Sequence, residues 1–266
     1  MRIKITFKLS GKRHVLPLNY QYPLSAWIYK VLERGDKTFS EFLHSEGFRM
    51  ENQKSFKLFT FSNLQFPYGK WKILHDTDRM EVTSDTATLI LAFQIPIAIE
   101  KFVAGLFKEQ KAEIGDRVST IKMEMGNIEM QPEPEINGTV RIKTLSPIVV
   151  SQKAENQEQE QYLKPGDAGY EKLFFLNLMD KHNAYQRQMK LEPDQFDLET
   201  LHFNCMNKNP KSRLQTIKAF TKEQTKVRGF LYEFEITAPA ALIKTGLDSG
   251  FGAMNAQGFG CGEVRI

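Results

Sequence analysis

Gly250-Phe-Gly-Ala-Met-Asn-Ala-Gln-Gly-Phe-Gly-Cys-Gly-Glu-Val-Arg-Ile266 closes the chain, and its reading decides between two kinds of fold. Five glycines, Gly250, Gly252, Gly258, Gly260 and Gly262, fall within thirteen residues. That density is incompatible with a helix, and it opens φ > 0 conformations and close contact with another molecule. Bare N–H groups in such a loop suit phosphate oxygens. A dinucleotide fingerprint needs a strand before its glycines and a helix after them. Here only Glu263-Val-Arg-Ile266 follows, an alternating stretch that reads as a final strand, so a Rossmann domain fails on context. A plain turn needs one or two glycines. This loop carries two Gly-Phe-Gly triplets, eight residues apart.

Working back from the loop, Pro239 to Leu247 reads as a short helix, and Lys226–Thr237, Gln215–Thr221 and Thr200–Cys205 read as strands. Asp167 to Gln188 is a long helix, and Thr139 to Val150 a strand bent at Ser146-Pro147. Met130-Gln-Pro-Glu-Pro-Glu-Ile-Asn-Gly138 is a proline- and acid-rich break. We place a boundary there, giving domains 1–130 and 131–266. The first half has the same rhythm. Met1 to Leu9 alternates as a strand, and Pro23 to Gly35 is a helix with Leu24, Trp27, Ile28, Val31 and Leu32 on one stripe. A second helix, Thr38 to Glu46, is closed by Gly47. Strands are expected at Lys57–Ser62, Trp71–Leu74, Met80–Val82 and Val118–Met130, and a helix at Pro96–Phe107. The expected fold is α+β, two tandem ferredoxin-like (RRM-like) β-α-β-β-α-β domains.

With 266 residues, 41% hydrophobic and 20 phenylalanines, the chain has the material for packed cores rather than for disorder. The apolar stretch from Thr88 to Ile99 is interrupted by Gln94 and Pro96 and is too short for a bilayer. The N-terminus shows no apolar signal region. Cys205 and Cys261 make neither a disulfide framework nor a metal spacing, so a reducing cytoplasm is the expected compartment. Between Met206 and Arg228, seven cations (Lys208, Lys211, Arg213, Lys218, Lys222, Lys226 and Arg228) face Glu223 alone. The overall charge is only +4, so this segment is the electrostatic footprint of a polyanion partner, or a solvated connection between strands.

At this point the residues resemble a known family. Gly250-Phe-Gly252 and Gly258-Phe-Gly260 resemble the glycine-rich signature of the CRISPR-associated repeat-RNA endoribonucleases, the "Cas-six" family of the RAMP superfamily. Leu16-Pro-Leu-Asn-Tyr-Gln-Tyr-Pro-Leu-Ser-Ala-Trp-Ile-Tyr29, then Phe42-Leu-His44, then Lys57-Leu-Phe-Thr-Phe-Ser62 are similar to that family's opening block, in its usual order. Thr144-Leu-Ser-Pro-Ile148 resembles the strand that starts its second half. The likeness spans nearly the whole chain. It implies two ferredoxin-like domains and cleavage of precursor CRISPR RNA within each repeat, without metal or other cofactor.

RNA carries its own nucleophile, the 2′-hydroxyl beside the scissile phosphate, so side chains need only move protons and stabilise charge. His44 is the candidate for proton transfer, because imidazole takes both protonation states at working pH. On its residues alone it reads sooner as a surface histidine at a helix end. The resemblance puts the active histidine at this Leu-His position. Tyr29 lies off the apolar stripe of its helix. The resemblance lets it join the histidine, and a phenol of ordinary pKa suits positioning better than base catalysis. Lys57 enters only through the resemblance, as an ammonium for the non-bridging phosphate oxygens.

For binding, Gly250, Gly252, Gly258 and Gly260 are expected to offer backbone contacts to phosphate, with Lys222, Lys226 and Arg228 as support. Phe251 and Phe259 either stack on bases or anchor the loop in the core. His14, His75, His182 and His202 lack a comparable motif and are expected to be structural or solvated. The expected partner is CRISPR repeat RNA, with no membrane contact and a monomer or homodimer as the state, and association with an interference complex left open. Two competing readings are a non-catalytic RAMP-type RNA-binding subunit of such a complex, and an unrelated binding module whose glycine loop is purely architectural.

Overall fold

The strand Arg2–Leu9 turns Ile3, Ile5, Phe7 and Leu9 inward, as its period-two alternation requires. In the computed structural model, which describes residues 1–50, 54–153, 160–219 and 221–265, that strand is central. It pairs antiparallel with Thr86–Phe93 on one side and Thr120–Met130 on the other. Phe59–Phe61 and Lys111–Gly115 form the sheet's edges. Counting Arg2–Leu9, Phe59–Phe61, Thr86–Phe93 and Thr120–Met130 in chain order, the sheet runs second-third-first-fourth. The strands Thr139–Thr144, His202–Cys205, Glu233–Thr237 and Gly262–Val264 repeat that order in the second half. Both halves are therefore ferredoxin-like, and the fold is the expected tandem α+β arrangement. Between Met130 and Thr139 no helix or strand intervenes.

Helices α1 (Gln21–Gly35) and α3 (Pro96–Lys108) cover the first sheet. Trp27 of α1 stands edge-on to Phe7 and Phe102, with ring centroids 5.7 and 6.0 Å apart. Where the two helices cross, a Cβ at Gly105 would lie 1.8 Å from the Val31 carbonyl oxygen, and one at Gly35 1.9 Å from that of Lys101. Gly35 is the last residue of α1, the helix end it was expected to mark, and its missing side chain lets the backbones touch. Asp36 ends α1 and caps α2 (Lys37–Ser45), accepting the Phe39 amide at 2.9 Å.

The strand between Thr86 and Phe93 is not signalled by periodicity. It is central and buried over most of its length, so it shows an apolar run instead of alternation. The strands expected at Trp71–Leu74 and Met80–Val82 are present as Trp71–Ile73 and Arg79–Val82, and they form a separate small sheet with His14–Pro17. The expected strand Lys226–Thr237 is split: Thr225–Leu231 pairs with Lys211–Ile217 as a hairpin, and Glu233–Thr237 enters the main sheet. Phe220 and Ile266, both within strands expected from sequence, lie outside the described residues.

In the second half, α4 (Tyr170–Gln188) and α5 (Ala240–Ser249) pack on the sheet. Phe174 of α4 stacks on Phe251, with centroids 5.9 Å apart and planes 5° from parallel. The two halves meet through polar ties. Ser25 donates to the Ala256 carbonyl at 2.6 Å, Thr60 to that of Phe259 at 3.1 Å, and Asn63 N–H to that of Leu145 at 3.0 Å.

Candidate active site

α1 and α2 lie side by side, and the short turn after α2 returns the chain past its C-terminus. This brings together three of the residues singled out from sequence. The Tyr29 ring stands edge-on to the His44 imidazole, with centroids 5.4 Å apart and planes at 79°. Lys57 Nζ donates to the His44 carbonyl oxygen at 2.9 Å, which ties the ammonium to the end of α2. Lys57 does not lie in a strand as expected. Leu58 has φ +50°, and the strand begins only at Phe59, so the kink turns Lys57 toward α2. Phe59 supports the other edge of Tyr29 at 5.7 Å.

The trio is chemically available. His44 is exposed, whereas Tyr29 and Lys57 are half-buried. Among the described residues, neither ring nitrogen of His44 nor the Tyr29 hydroxyl has a hydrogen-bond partner. Burial pushes the Tyr29 phenol far above its usual range, so it is a neutral hydroxyl that donates or accepts rather than a base. Partial burial, with Arg49 as a neighbouring cation, pulls the Lys57 ammonium below its usual value. The arrangement supplies a proton carrier, a neutral hydroxyl and a cation on one rim.

The glycine-rich loop lies close by, but not in the form expected. Gly250, Gly252, Gly258 and Gly260 all have positive φ and are buried. The amides of Gly250, Gly258 and Gly260 already donate to the carbonyls of Gly246, Asn255 and Pro147. A phosphate cradle built on those three amides is therefore not available, and any contact with a polyanion uses other atoms of the loop. Steric need explains the glycines: a Cβ at Gly252 would meet the Val149 carbonyl oxygen at 2.3 Å, and one at Gly260 that of Phe251 at 2.1 Å. Phe251 and Phe259 are fully buried anchors, which decides between their two readings.

A residue with no place among the sequence candidates organises this loop. Lys181 of α4 is 1% exposed, and its ammonium donates to the carbonyls of Gly250 and Gly252 (2.9 Å for the latter) and to Asn255 Oδ1 at 3.1 Å. Burial lowers its pKa to about 7. Asn255 Nδ2 in turn donates to the carbonyls of Phe251 and Phe259. The signal is present in the sequence: Phe174, Leu178 and Lys181 share one face of α4, so a lysine occupies an apolar position.

The Lys211–Ile217/Thr225–Leu231 hairpin packs its inner side chains, Ile217 and Val227, against Val149 and Phe259. Lys222, Lys226 and Arg228 are exposed, and Arg228 donates to Ser212 Oγ at 2.8 Å. The hairpin touches the first half, where Thr216 N–H donates to Asn19 Oδ1 at 3.3 Å, just before α1. Tyr29 lies eight residues along α1 from its first residue, or ~12 Å at 1.5 Å per residue. Basic hairpin, glycine loop and trio thus border one another along α1.

His182 illustrates a misleading constellation. Its Nδ1 and Nε2 lie 2.9 Å from Thr245 Oγ1 and Asp194 Oδ2, in the order of a hydrolase triad. Thr245 is 1% exposed, and its hydroxyl also meets Gln94 Nε2 and the Ala241 carbonyl. No substrate reaches it, so the cluster ties the two halves together as a structural network. Among the described residues no group of three His, Cys, Asp or Glu side chains converges, and no helix is long and apolar enough to cross a membrane.

Residues 130–264 match the family model "CRISPR associated protein Cas6, C-terminal", and residues 15–124 match "CRISPR-associated protein Cas6, N-terminal". A curated relative, CRISPR-associated endoribonuclease Cas6 1 of Methanocaldococcus jannaschii, is 27% identical over 98% of this chain and 91% of its own length. A solved structure of a Cas6-related protein from Pyrococcus furiosus is 22% identical, with a TM-score of 0.80 over all of this chain and 98% of that one. A RAMP protein described as binding different RNA substrates has a TM-score of 0.79 at 22% identity, over all of both chains. These two structures are similar in fold. The family models together cover most of the chain, and the chain belongs to the CRISPR-associated Cas6 family.

Proposed function

We propose that this protein is an endoribonuclease that cuts precursor CRISPR RNA within its repeats to release guide RNAs. The convergence of Tyr29, His44 and Lys57 from two helices and a kinked segment carries this reading. The likeness to an endoribonuclease of the same family supports it.

The reaction begins at the RNA's own 2′-hydroxyl. As its oxygen attacks phosphorus, the P–O5′ bond breaks, leaving a 2′,3′-cyclic phosphate and a 5′-hydroxyl. His44 transfers the proton, taking it from the 2′-oxygen or returning one to the departing 5′-oxygen. Lys57 keeps two ammonium protons beyond its bond to the His44 carbonyl, and these meet the phosphorane oxygens as charge accumulates. Tyr29, held neutral by burial, orients the phosphate or ribose through its hydroxyl. No step demands a metal ion.

The Lys222, Lys226 and Arg228 hairpin supplies the non-specific electrostatic grip, and the loop containing Gly250, Gly252, Gly258 and Gly260 forms the floor beside it. Incubating the purified protein with its own repeat RNA in chelator, then mapping both ends of the fragments, tests the reading. Cyclic-phosphate and 5′-hydroxyl ends are expected. Binding without product would instead indicate a non-catalytic RNA-holding subunit.

A further inference from the structure

Past His44 the chain turns back on itself as a two-stranded ribbon, in which Phe48 pairs with Phe56 and Arg49 with Ser55. Phe48 packs inward on Phe42 of α2, with ring centroids 5.4 Å apart, so Gly47 and Arg49 belong to the opposite face. The same register sets Gly47 opposite Lys57. A Cβ on Gly47 would lie 3.0 Å from Lys57 Cδ and 2.6 Å from the Phe56 carbonyl oxygen. Gly47, at φ +66°, thus clears the path by which Lys57 reaches the His44 carbonyl. Ser55, on the same face, donates to the Glu46 carbonyl. This face therefore abuts the end of α2 that carries His44.

Arg49 lies on that face, diagonally across the ribbon from Lys57. Diagonal neighbours are about 7–8 Å apart, within reach of long side chains. The two cations feel each other: after burial, the Arg49 guanidinium is the next cause that pulls the Lys57 ammonium below its usual value. Glu46 opposes this shift, but only in part. It approaches Arg49 no closer than 4.0 Å, and both side chains are more than half exposed, a pairing that contributes little. Among the described residues Arg49 makes no hydrogen bond, so its five N–H donors are unclaimed. Cations on neighbouring segments are engaged instead: Lys54 pairs with Asp180 of α4 at 2.6 Å, and Lys181 is bound to loop carbonyls. Like charges held together disfavour one another, and an anion between them removes that penalty.

The anion is the reacting phosphate. Attack by the 2′-oxygen adds a negative charge to the one the linkage already carries, while Lys57 has given one of its protons to the His44 carbonyl. A guanidinium holds two phosphate oxygens at once through parallel N–H bonds. We propose that Arg49 is a further catalytic residue, which clamps the non-bridging oxygens of the scissile phosphate beside Lys57 and stabilises the phosphorane. The assignment rests on the nuclease reading, through His44 and Lys57. Arg49 neither takes nor gives a proton, so the bonds made and broken are those of that reaction.

Single-turnover cleavage of repeat RNA at saturating protein, with affinity measured separately, tests the assignment. Arg49→Ala should slow cleavage by about 10²-fold or more, the usual loss on removing one preorganised donor, while affinity stays within a few-fold of wild type. Arg49→Lys should recover only part of the rate, because an ammonium lacks the two-pronged geometry. In Arg49→Ala the alkaline limb should also move to higher pH, since the cation that helps to lower Lys57 is gone. Lys37→Ala removes an exposed cation from the opposite end of α2 and should change neither rate nor profile. A full rate in Arg49→Ala overturns the assignment, as does a loss confined to affinity, a loss with the alkaline limb unmoved, or an equal loss in Lys37→Ala. A wild type that cuts no repeat RNA removes the nuclease reading and Arg49 with it, whereas a wild type that cuts lets Arg49 fail alone.

Discussion

Tyr29 and His44 meet edge to face, with ring centroids 5.4 Å apart, while among the described residues the hydroxyl of one and both nitrogens of the other have no protein partner. Side chains held that close by packing, with their polar atoms unclaimed, are arranged for a third molecule. A His44→Ala variant is expected to lose about 10²–10⁴-fold in single-turnover cleavage, the usual contribution of positioned acid–base catalysis. Repeat-RNA affinity, measured by filter binding, should be largely retained. Tyr29→Phe should cost less, because only a hydrogen bond is removed.

The pH profile separates the two neighbours of His44. Lys57 has its pKa lowered by burial, so its ammonium is lost at a lower pH than that of a free lysine. Cleavage should therefore fall as pH rises through that range. Lys57→Arg keeps its charge there, and its alkaline limb should move to higher pH. The Tyr29 phenol is raised instead, so Tyr29→Phe should lower the rate without changing the shape of the profile. An unmoved alkaline limb in Lys57→Arg would remove lysine from the assignment.

Lys181 makes stability depend on pH with a definite sign. Its folded-state pKa is about 7, against 10.5 for a solvated lysine. Between those values the unfolded chain binds more protons, so this residue's contribution strengthens as pH rises, by at most about 1.4 kcal/mol per pH unit. Below about 7 it no longer varies. Lys181→Met should abolish that slope and cost about 3 kcal/mol near neutrality, because the carbonyls of Gly250 and Gly252 lose a buried donor and Asn255 Oδ1 a half-buried one. Denaturant titrations across that window measure both effects.

Gly105→Ala should destabilise the protein by about 1–3 kcal/mol or more, since the added methyl would overlap the Val31 carbonyl and push α1 from α3. Because α1 carries Tyr29, cleavage by the folded variant should fall as well. Thermal melting and single-turnover rates read the two consequences independently.

Replacing Lys222, Lys226 and Arg228 together by alanine should weaken binding of all RNAs alike. It should also reduce the slope of log affinity against log salt by about 2, at ~0.7 for each single-strand phosphate no longer neutralised. An unchanged slope would move the electrostatic grip elsewhere on the surface.

Periodicity locates most elements but not their partners. The alternation in Arg2–Leu9 and the stripe on α1 are legible because each has one buried face. Thr86–Phe93 is not, because a central strand buried over most of its length carries no alternation. Trp71–Ile73 looks like any strand, and only pairing places it in a satellite sheet. His44 and Tyr29 can be nominated by residue type and motif, yet their contact depends on how α2 folds back against α1. Lys57 depends further on a left-handed turn at Leu58 that local propensity disfavours.

The residues of the chain alone indicate that its C-terminal glycines do not open a Rossmann helix, because a strand pattern follows them, and that the chain holds two similar α+β halves. Those are matters of local backbone freedom and hydrophobic spacing. Tertiary structure alone decides what the glycines do: the amides of Gly250, Gly258 and Gly260 are engaged within the protein, and a buried ammonium from a distant helix gathers the carbonyls of Gly250 and Gly252. That outcome depends on which groups compete for each hydrogen bond once the halves have packed, and such competition exists only in three dimensions.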